Sequence, residues 1–191
     1  MTLESTPGFS IVSMHTTIRS LVAVFLAVSV QSVARAQHPA MPPGMTHEQH
    51  MAQMQKDAEL KKRGAAAMGF DQEKTTHHFR LRADGGAIEV TANDAADAAT
   101  IGAVRRHLKQ IAEEFAKGDF GKPLATHGEE PPGVATMRER RDAVAFRYED
   151  DTSGGRVRMT TADARALAAI HEFLRYQIAE HKTGDPLVVE R

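Results

Sequence analysis

The sequence predicts an α+β protein in which two duplicated ββα units form one antiparallel sheet covered by two helices, preceded by an N-terminal helix. Two hairpin patterns that alternate apolar and polar residues, a 3.6-residue helix pattern after each, and a capped helix start ahead of both predict this fold. The predicted organisation is a signal peptide at 1–36, a His/Met-rich segment with a short helix at 37–75, a first ββα repeat at 76–120, a linker at 121–141, and a second ββα repeat with a tail at 142–191.

The signal peptide is predicted from an apolar run at 21–30 that is too short to cross a membrane. Arg19 precedes this run, and the small residues Ala34 and Ala36 follow it. We therefore expect cleavage after Ala36, a periplasmic location, and no membrane span in the mature chain. Translation from Met14 and retention as an N-terminal anchor are the alternatives.

The composition excludes several classes of function. The chain of 191 residues has no cysteine, which excludes disulfides, thiolate metal sites, a catalytic thiol and attached c-type haem. Its 24 Lys and Arg against 25 Asp and Glu provide no basic excess for nucleic-acid binding. Ten His and nine Met stand out instead.

The segment after the signal peptide predicts a copper-binding helix face. Thr46 and Gln49 form a capping box, so a helix is expected to start near His47. Four ligand-type side chains then follow at i, i+3, i+4 and i+7: His47, His50, Met51 and Met54. Thioether favours Cu(I), and imidazole binds either oxidation state of copper. Packing of the two methionines on the core is the alternative interpretation.

The rest of the chain contains the two repeats. Each hairpin carries a Gly-Gly pair, at 85–86 and 154–155, which we assign to its turn. Each following helix stops at a Gly-Asp pair, at 118–119 and 184–185. Corresponding residues in the two units are separated by 66 to 69 positions.

The duplication indicates which histidines are unusual, because each unit shows what the fold alone requires. At an offset of 67, His77 corresponds to Val144. At an offset of 66, His107 corresponds to Phe173, and His181 corresponds to Phe115. Three histidines therefore occupy positions that the other unit fills with apolar side chains. A buried imidazole needs hydrogen-bond partners or a shared ligand.

Three more histidines complete the candidate set. His78 is expected on the opposite sheet face from His77, His171 at a helix edge, and His127 in a linker that folds back over the core. His171 and His181 are about 15 Å apart along one helix, too far to share an ion. We expect copper, with zinc or b-type haem as alternatives. The expected partners are the metal ion and another envelope protein.

Catalytic signatures are absent from the sequence. His171-Glu172 begins a zinc-protease motif, but Arg175 stands where its second histidine belongs. There is no nucleophile elbow, phosphate-binding loop or dinucleotide fingerprint. The leading hypothesis is a periplasmic metal-binding protein for tolerance or delivery. A metal-dependent envelope enzyme and a structural or interaction module with packing histidines are the alternatives.

Three runs carry a resemblance to known proteins. MGFDQ at 68–72 with TTHHF at 75–79, PPGV at 131–134, and HEFLRYQIAEHKTGD at 171–185 resemble a family of small secreted bacterial proteins. The resemblance implies an exported protein of this fold class and gives motif status to His77, His78, His127, His171 and His181. Some similar proteins are labelled aspartate carbamoyltransferase. This chain does not support that activity, because it is short, exported and without a phosphate-binding loop.

Overall fold

The computed structural model describes residues 43–190, so the predicted signal peptide and the start of the His/Met-rich segment lie outside the described residues. Within this range the chain forms one four-stranded antiparallel sheet and five α-helices, which confirms the predicted α+β class. None of the helices in 43–190 has the length and apolar composition that a membrane crossing requires.

The elements follow one another in the order helix, hairpin, three helices, hairpin, helix. The strands are β1 (Thr75–Arg82), β2 (Gly85–Ala92), β3 (Val144–Asp151) and β4 (Gly154–Thr161). The helices are α1 (His47–Met68), α2 (Ala98–Ala116), α3 (Gly121–His127), α4 (Val134–Glu139) and α5 (Ala164–His181). The region predicted as a linker thus contains two short helices, and α1, at 22 residues, is longer than the short helix that was expected.

The strand order is β1-β2-β4-β3, so the two central strands come from different units. The Gly-Gly pairs begin these central strands, and the prediction that they form the turns was wrong. The first glycine of each pair is required by close approach between β2 and β4. A Cβ on Gly85 would lie 2.0 Å from the Met159 carbonyl oxygen, and one on Gly154 would lie 2.0 Å from that of Val90.

The helices α2 and α5 cover one face of the sheet. Each begins at an aspartate N-cap, Asp97 or Asp163, whose carboxylate accepts hydrogen bonds from the first turn. The apolar face of α2 packs mainly on β3 and β4, whereas that of α5 packs mainly on β1 and β2. Each helix therefore covers the hairpin of the other unit.

The register corrects one part of the sequence alignment. β1 begins at Thr75 and β3 at Val144, so the strands correspond at an offset of 69 rather than 67. His77 and Phe146 are each the third residue of their strand. The equivalent of His77 in the second unit is therefore Phe146 and not Val144, and this residue is also apolar.

The capping box at the start of α1 is confirmed. The Thr46 hydroxyl accepts from Gln49 N, and the Gln49 side chain accepts from Thr46 N. α1 packs against α3, and its buried residues are Leu60 and Gly64. Through α3, which contributes His127 and Lys122, this pair of helices reaches the pocket described below.

Candidate functional site

Four of the ten predicted site residues line one pocket. His77 comes from β1, His107 from α2, His127 from α3 and His181 from α5. The pocket has a volume of about 60 Å³, and most of its other lining residues are apolar. A site this size holds a few water molecules or an ion with its ligands. The expectation that His127 folds back over the core is confirmed, because only 9% of its surface is exposed.

The imidazole rings and Phe70 form a continuous series. The ring centres of His107 and Phe70 are 5.6 Å apart, those of Phe70 and His77 are 6.2 Å apart, and those of His77 and His181 are 5.9 Å apart. The series ends with His127, whose ring centre lies 5.2 Å from that of His181. Side chains from five separate segments therefore meet at this end of the sheet.

Burial keeps these imidazoles neutral. Burial, with a small effect of His78, lowers the pKa of His77 to about 4. Burial lowers the pKa of His107 to about 4, helped by the Lys122 charge and by His77, and it lowers the pKa of His181 to about 3. Burial also lowers the pKa of His127, despite the opposing effect of its hydrogen bond to Gln177. Neutral imidazole is the form that can bind a metal ion.

His127 is held through its ring and through its backbone. Its Nε2–H donates to Gln177 Oε1 at 3.0 Å, which leaves Nδ1 as the nitrogen with a free lone pair. The Arg63 guanidinium donates to the carbonyl oxygens of Thr126 and His127 at 3.0 and 3.3 Å, which joins α1 to the end of α3.

The pocket also concentrates unsatisfied polar atoms. In residues 43–190, five buried side-chain nitrogens have no hydrogen-bond partner. Three of the five belong to residues that line this pocket: His77 Nε2, His127 Nδ1 and Gln177 Nε2. Because an unpaired buried polar group costs about 1–3 kcal/mol, their convergence marks a polar site at which water or a ligand can supply the missing partners.

The spacing of the rings, but not their present orientation, suits a shared ion. A metal–nitrogen bond of about 2.0–2.1 Å places the centres of two bound imidazoles roughly 5–6 Å apart. The neighbouring pairs His77–His181 and His127–His181 fall in this range. However, no three His, Asp or Glu side chains of the described part have the arrangement needed to hold an ion. Binding would require ring rotation about the side-chain torsions.

The other two core-domain histidines serve the structure. His78 lies on the opposite sheet face, as expected, and its Nδ1 is 2.8 Å from Asp185 Oδ1. Burial raises the pKa of Asp185, but hydrogen bonds from Thr183, Phe79 N and His78 outweigh it and lower the pKa overall. His171 Nε2 lies 3.0 Å from the carbonyl oxygens of Arg82 and Gly85, so it fixes the turn between β1 and β2.

The predicted copper-binding stripe on α1 lies apart from the pocket lining. His47 and Met51 are exposed, with 48% of Met51 accessible, while His50 and Met54 are half-buried. Neither methionine belongs to the main buried core. The exposed Met51 is not explained by packing, whereas the half-buried Met54 is partly packed, so the stripe is a partly accessible face of the first two turns.

Two polar or sulfur-bearing residues of the pocket lining, Met68 and Gln177, were not predicted from the sequence. Neither was Phe70, whose ring contacts His77 and His107 without belonging to the lining. Gln177 lies four residues before His181 on α5, and this i, i+4 spacing was a signal for a shared helix face. Met68 and Phe70 belong to the MGFDQ run that carries the family resemblance, but no periodicity connects them with the histidines.

Comparisons of the chain with protein-family models, with curated proteins and with solved structures find no match. Any functional conclusion therefore depends on the residues and the geometry of this pocket.

Proposed function

We propose that this is a periplasmic transition-metal binding protein, that its metal is copper, and that it acts in metal tolerance or delivery. The main support is the convergence of four histidines from four separate elements on one small pocket. Three of them occupy positions where the other unit carries phenylalanine, so the fold does not require imidazole there. The accessible His/Met stripe on α1 supports copper, because it combines imidazole with thioether.

The pocket volume favours an ion over the alternative of b-type haem. A space of about 60 Å³ corresponds to a few water molecules, which is much smaller than a porphyrin ring. Zinc remains the principal competitor, because imidazole binds both metals.

The experiment compares metal stoichiometry in matched variants of the purified protein. In the parent for this test, Asn replaces His47 and His50, and Leu replaces Met51 and Met54, so that the α1 stripe does not contribute. Adding His77→Phe and His107→Phe introduces the side chains of the other unit and preserves apolar packing. We expect this pair to remove one equivalent of bound copper, measured by equilibrium dialysis and elemental analysis.

The control removes two histidines from the same sheet and helix layers outside the pocket. His78→Asn with His171→Asn should leave the stoichiometry of copper unchanged, because neither ring lines the pocket. Equal copper content in the parent and the His77→Phe/His107→Phe variant would refute the pocket as a metal site. A parallel dialysis series with zinc tests whether that metal takes the site instead.

A further inference from the structure

The pocket combines soft and neutral donors with almost no negative charge. Besides the four imidazoles, its lining includes the Met68 thioether, which is a ligand type that favours monovalent copper. No Asp or Glu belongs to the pocket lining as described in residues 43–190. Divalent zinc and oxidised copper sites commonly gain from carboxylate ligands, and this pocket offers none.

The one charged side chain in the described lining is a cation. Lys122 lines the pocket, and its Nζ lies 2.5 Å from Glu114 Oε1, outside the lining. A positive charge at the wall opposes a bound dication twice as strongly as a bound monocation.

The nearest acidic groups already have partners. Glu129 Oε1 accepts a hydrogen bond from the Tyr176 hydroxyl at 2.8 Å. Glu180 Oε1 lies 3.2 Å from Lys56 Nζ on α1. Both carboxylates lie outside the lining, so neither is placed to coordinate an ion in the pocket, although the charge of each reaches His127. The ligands of the pocket itself are all neutral and would not reduce the net charge of a bound metal ion.

That net charge decides which ion is favoured. The cost of moving an ion from water into a low-dielectric site rises with the square of its charge, so a dication is penalised about four times as much as a monocation. Neutral ligands reduce this cost through coordination but do not cancel the charge. The geometry therefore points to selection of Cu(I) over Cu(II) and Zn(II) by the pocket, an inference that rests on the proposed metal-binding function.

The test uses the parent protein without the α1 stripe and measures its affinity for Cu(I), Cu(II) and Zn(II). Each ion is bound in competition with a chromophoric chelator, and Cu(I) is kept reduced by ascorbate under anaerobic conditions. We expect Cu(I) to bind more tightly than Zn(II) by at least about tenfold. The Met68→Leu variant should weaken Cu(I) binding by about 10-fold and Zn(II) binding by much less, because the ligand that is lost is the soft one. Met137→Leu is the control, since Met137 is fully buried in α4 but does not line the pocket.

A second variant tests the charge argument in the opposite direction. Gln177→Glu places a carboxylate of nearly the same shape in the lining, and should raise Zn(II) affinity relative to Cu(I). Equal or tighter binding of Zn(II) or Cu(II) in the parent would overturn the inference while leaving the metal-binding function intact. Failure to bind any of the three ions would overturn the proposed function itself, and the inference with it.

Discussion

The two ends of the helix-covered sheet face are related by the duplication, but one end carries imidazole rings and the other carries phenylalanine rings. At one end His77, His181 and His107 meet. Their equivalents at the other end are, in the same order, Phe146, Phe115 and Phe173. The ring centres of His77 and His181 are 5.9 Å apart, and those of Phe146 and Phe115 are 5.8 Å apart. The same backbone arrangement thus holds a phenylalanine cluster at one end and imidazoles at the other. The two clusters adjoin, because Phe115 and Phe173 also line the histidine pocket.

This comparison separates what the fold needs from what is added to it. Phe115 and Phe173 are each only 1% exposed, so the phenylalanine end gains stability from buried hydrocarbon. The histidine end buries rings that would be more stable hydrated, and leaves His77 Nε2, together with Nδ1 of the adjoining His127, without a protein partner. Stability alone would favour phenylalanine at both ends, which supports a ligand role for the histidine end.

The largest expected difference between the ends is in their response to acid. The unfolded-state pKa of histidine is about 6.5, while burial lowers the folded-state pKa of His77 and His107 to about 4 and that of His181 to about 3. The folded state therefore binds fewer protons, and stability is complete above pH 6.5 and falls as the pH drops toward 4. We expect a loss on the order of 5 kcal/mol of the free energy of unfolding, measured by urea titration of metal-free protein.

The control for acid sensitivity converts the histidine end into its counterpart. The triple variant His77→Phe/His107→Phe/His181→Phe should show a much smaller pH dependence of stability between pH 6.5 and 4.5, where most carboxylates stay charged. The part that remains is expected from His127, whose pKa burial also lowers. An unchanged slope in this variant would mean that other groups cause the acid response.

Truncation should affect the two ends unequally. Phe115→Ala removes a buried ring from a packed cluster, so we expect it to cost about 3–5 kcal/mol. His181→Ala removes an imidazole, which buries less hydrocarbon than a phenylalanine ring and is more costly to desolvate, so its cost should be below about 2 kcal/mol. Both residues line the pocket, so enlargement of the pocket is common to the two variants. Urea denaturation at pH 7.5 measures both, and equal costs would contradict the contrast drawn between the ends.

A smaller effect is expected from the Arg63 hydrogen bonds that link α1 to the end of α3. Arg63→Met removes the hydrogen bonds from α1 to the last carbonyls of α3 and should cost about 1–3 kcal/mol. Hydrogen exchange should show faster opening of α3 and no change in α2. Arg138→Met, which removes an exposed pair with Glu130, is the control and should cost less than about 1 kcal/mol.

The smallest expected effect concerns a histidine outside the pocket. His171→Ala removes the contact with the Arg82 and Gly85 carbonyls and should cost about 1 kcal/mol. Thermal unfolding measures this cost. Copper stoichiometry should not change, and a lost equivalent would mean that His171 takes part in metal binding.

Much of the fold could be predicted from local patterns. Alternation located the strands, and the Thr46 capping box located α1. The alignment of His77 with Val144 was wrong by two residues because a shift of two in a strand leaves every side chain on the same face. For the same reason the conclusion survived, since Phe146 is also apolar and faces the same side.

Other features depend on tertiary packing and had no local signal. The Gly-Gly pairs were assigned to turns because glycine favours turns, whereas Gly85 and Gly154 are needed where β2 and β4 approach closely. Met68 and Phe70 reach the histidines only because α1 returns to β1 through a short connection. Ring orientation at the pocket likewise follows from contacts between elements far apart in the sequence.

The exchange of helices between hairpins has a consequence for how this architecture can arise. A chain with one ββα unit would lose most of the packing of its helix, because each helix packs less on its own hairpin than on the other one. Such a chain would complete its core by pairing with a second copy in a symmetric homodimer. In that homodimer, every substitution would appear at both ends. Linking the copies in one polypeptide removes this constraint, so that one end can keep a hydrocarbon core while the other acquires a separate chemistry.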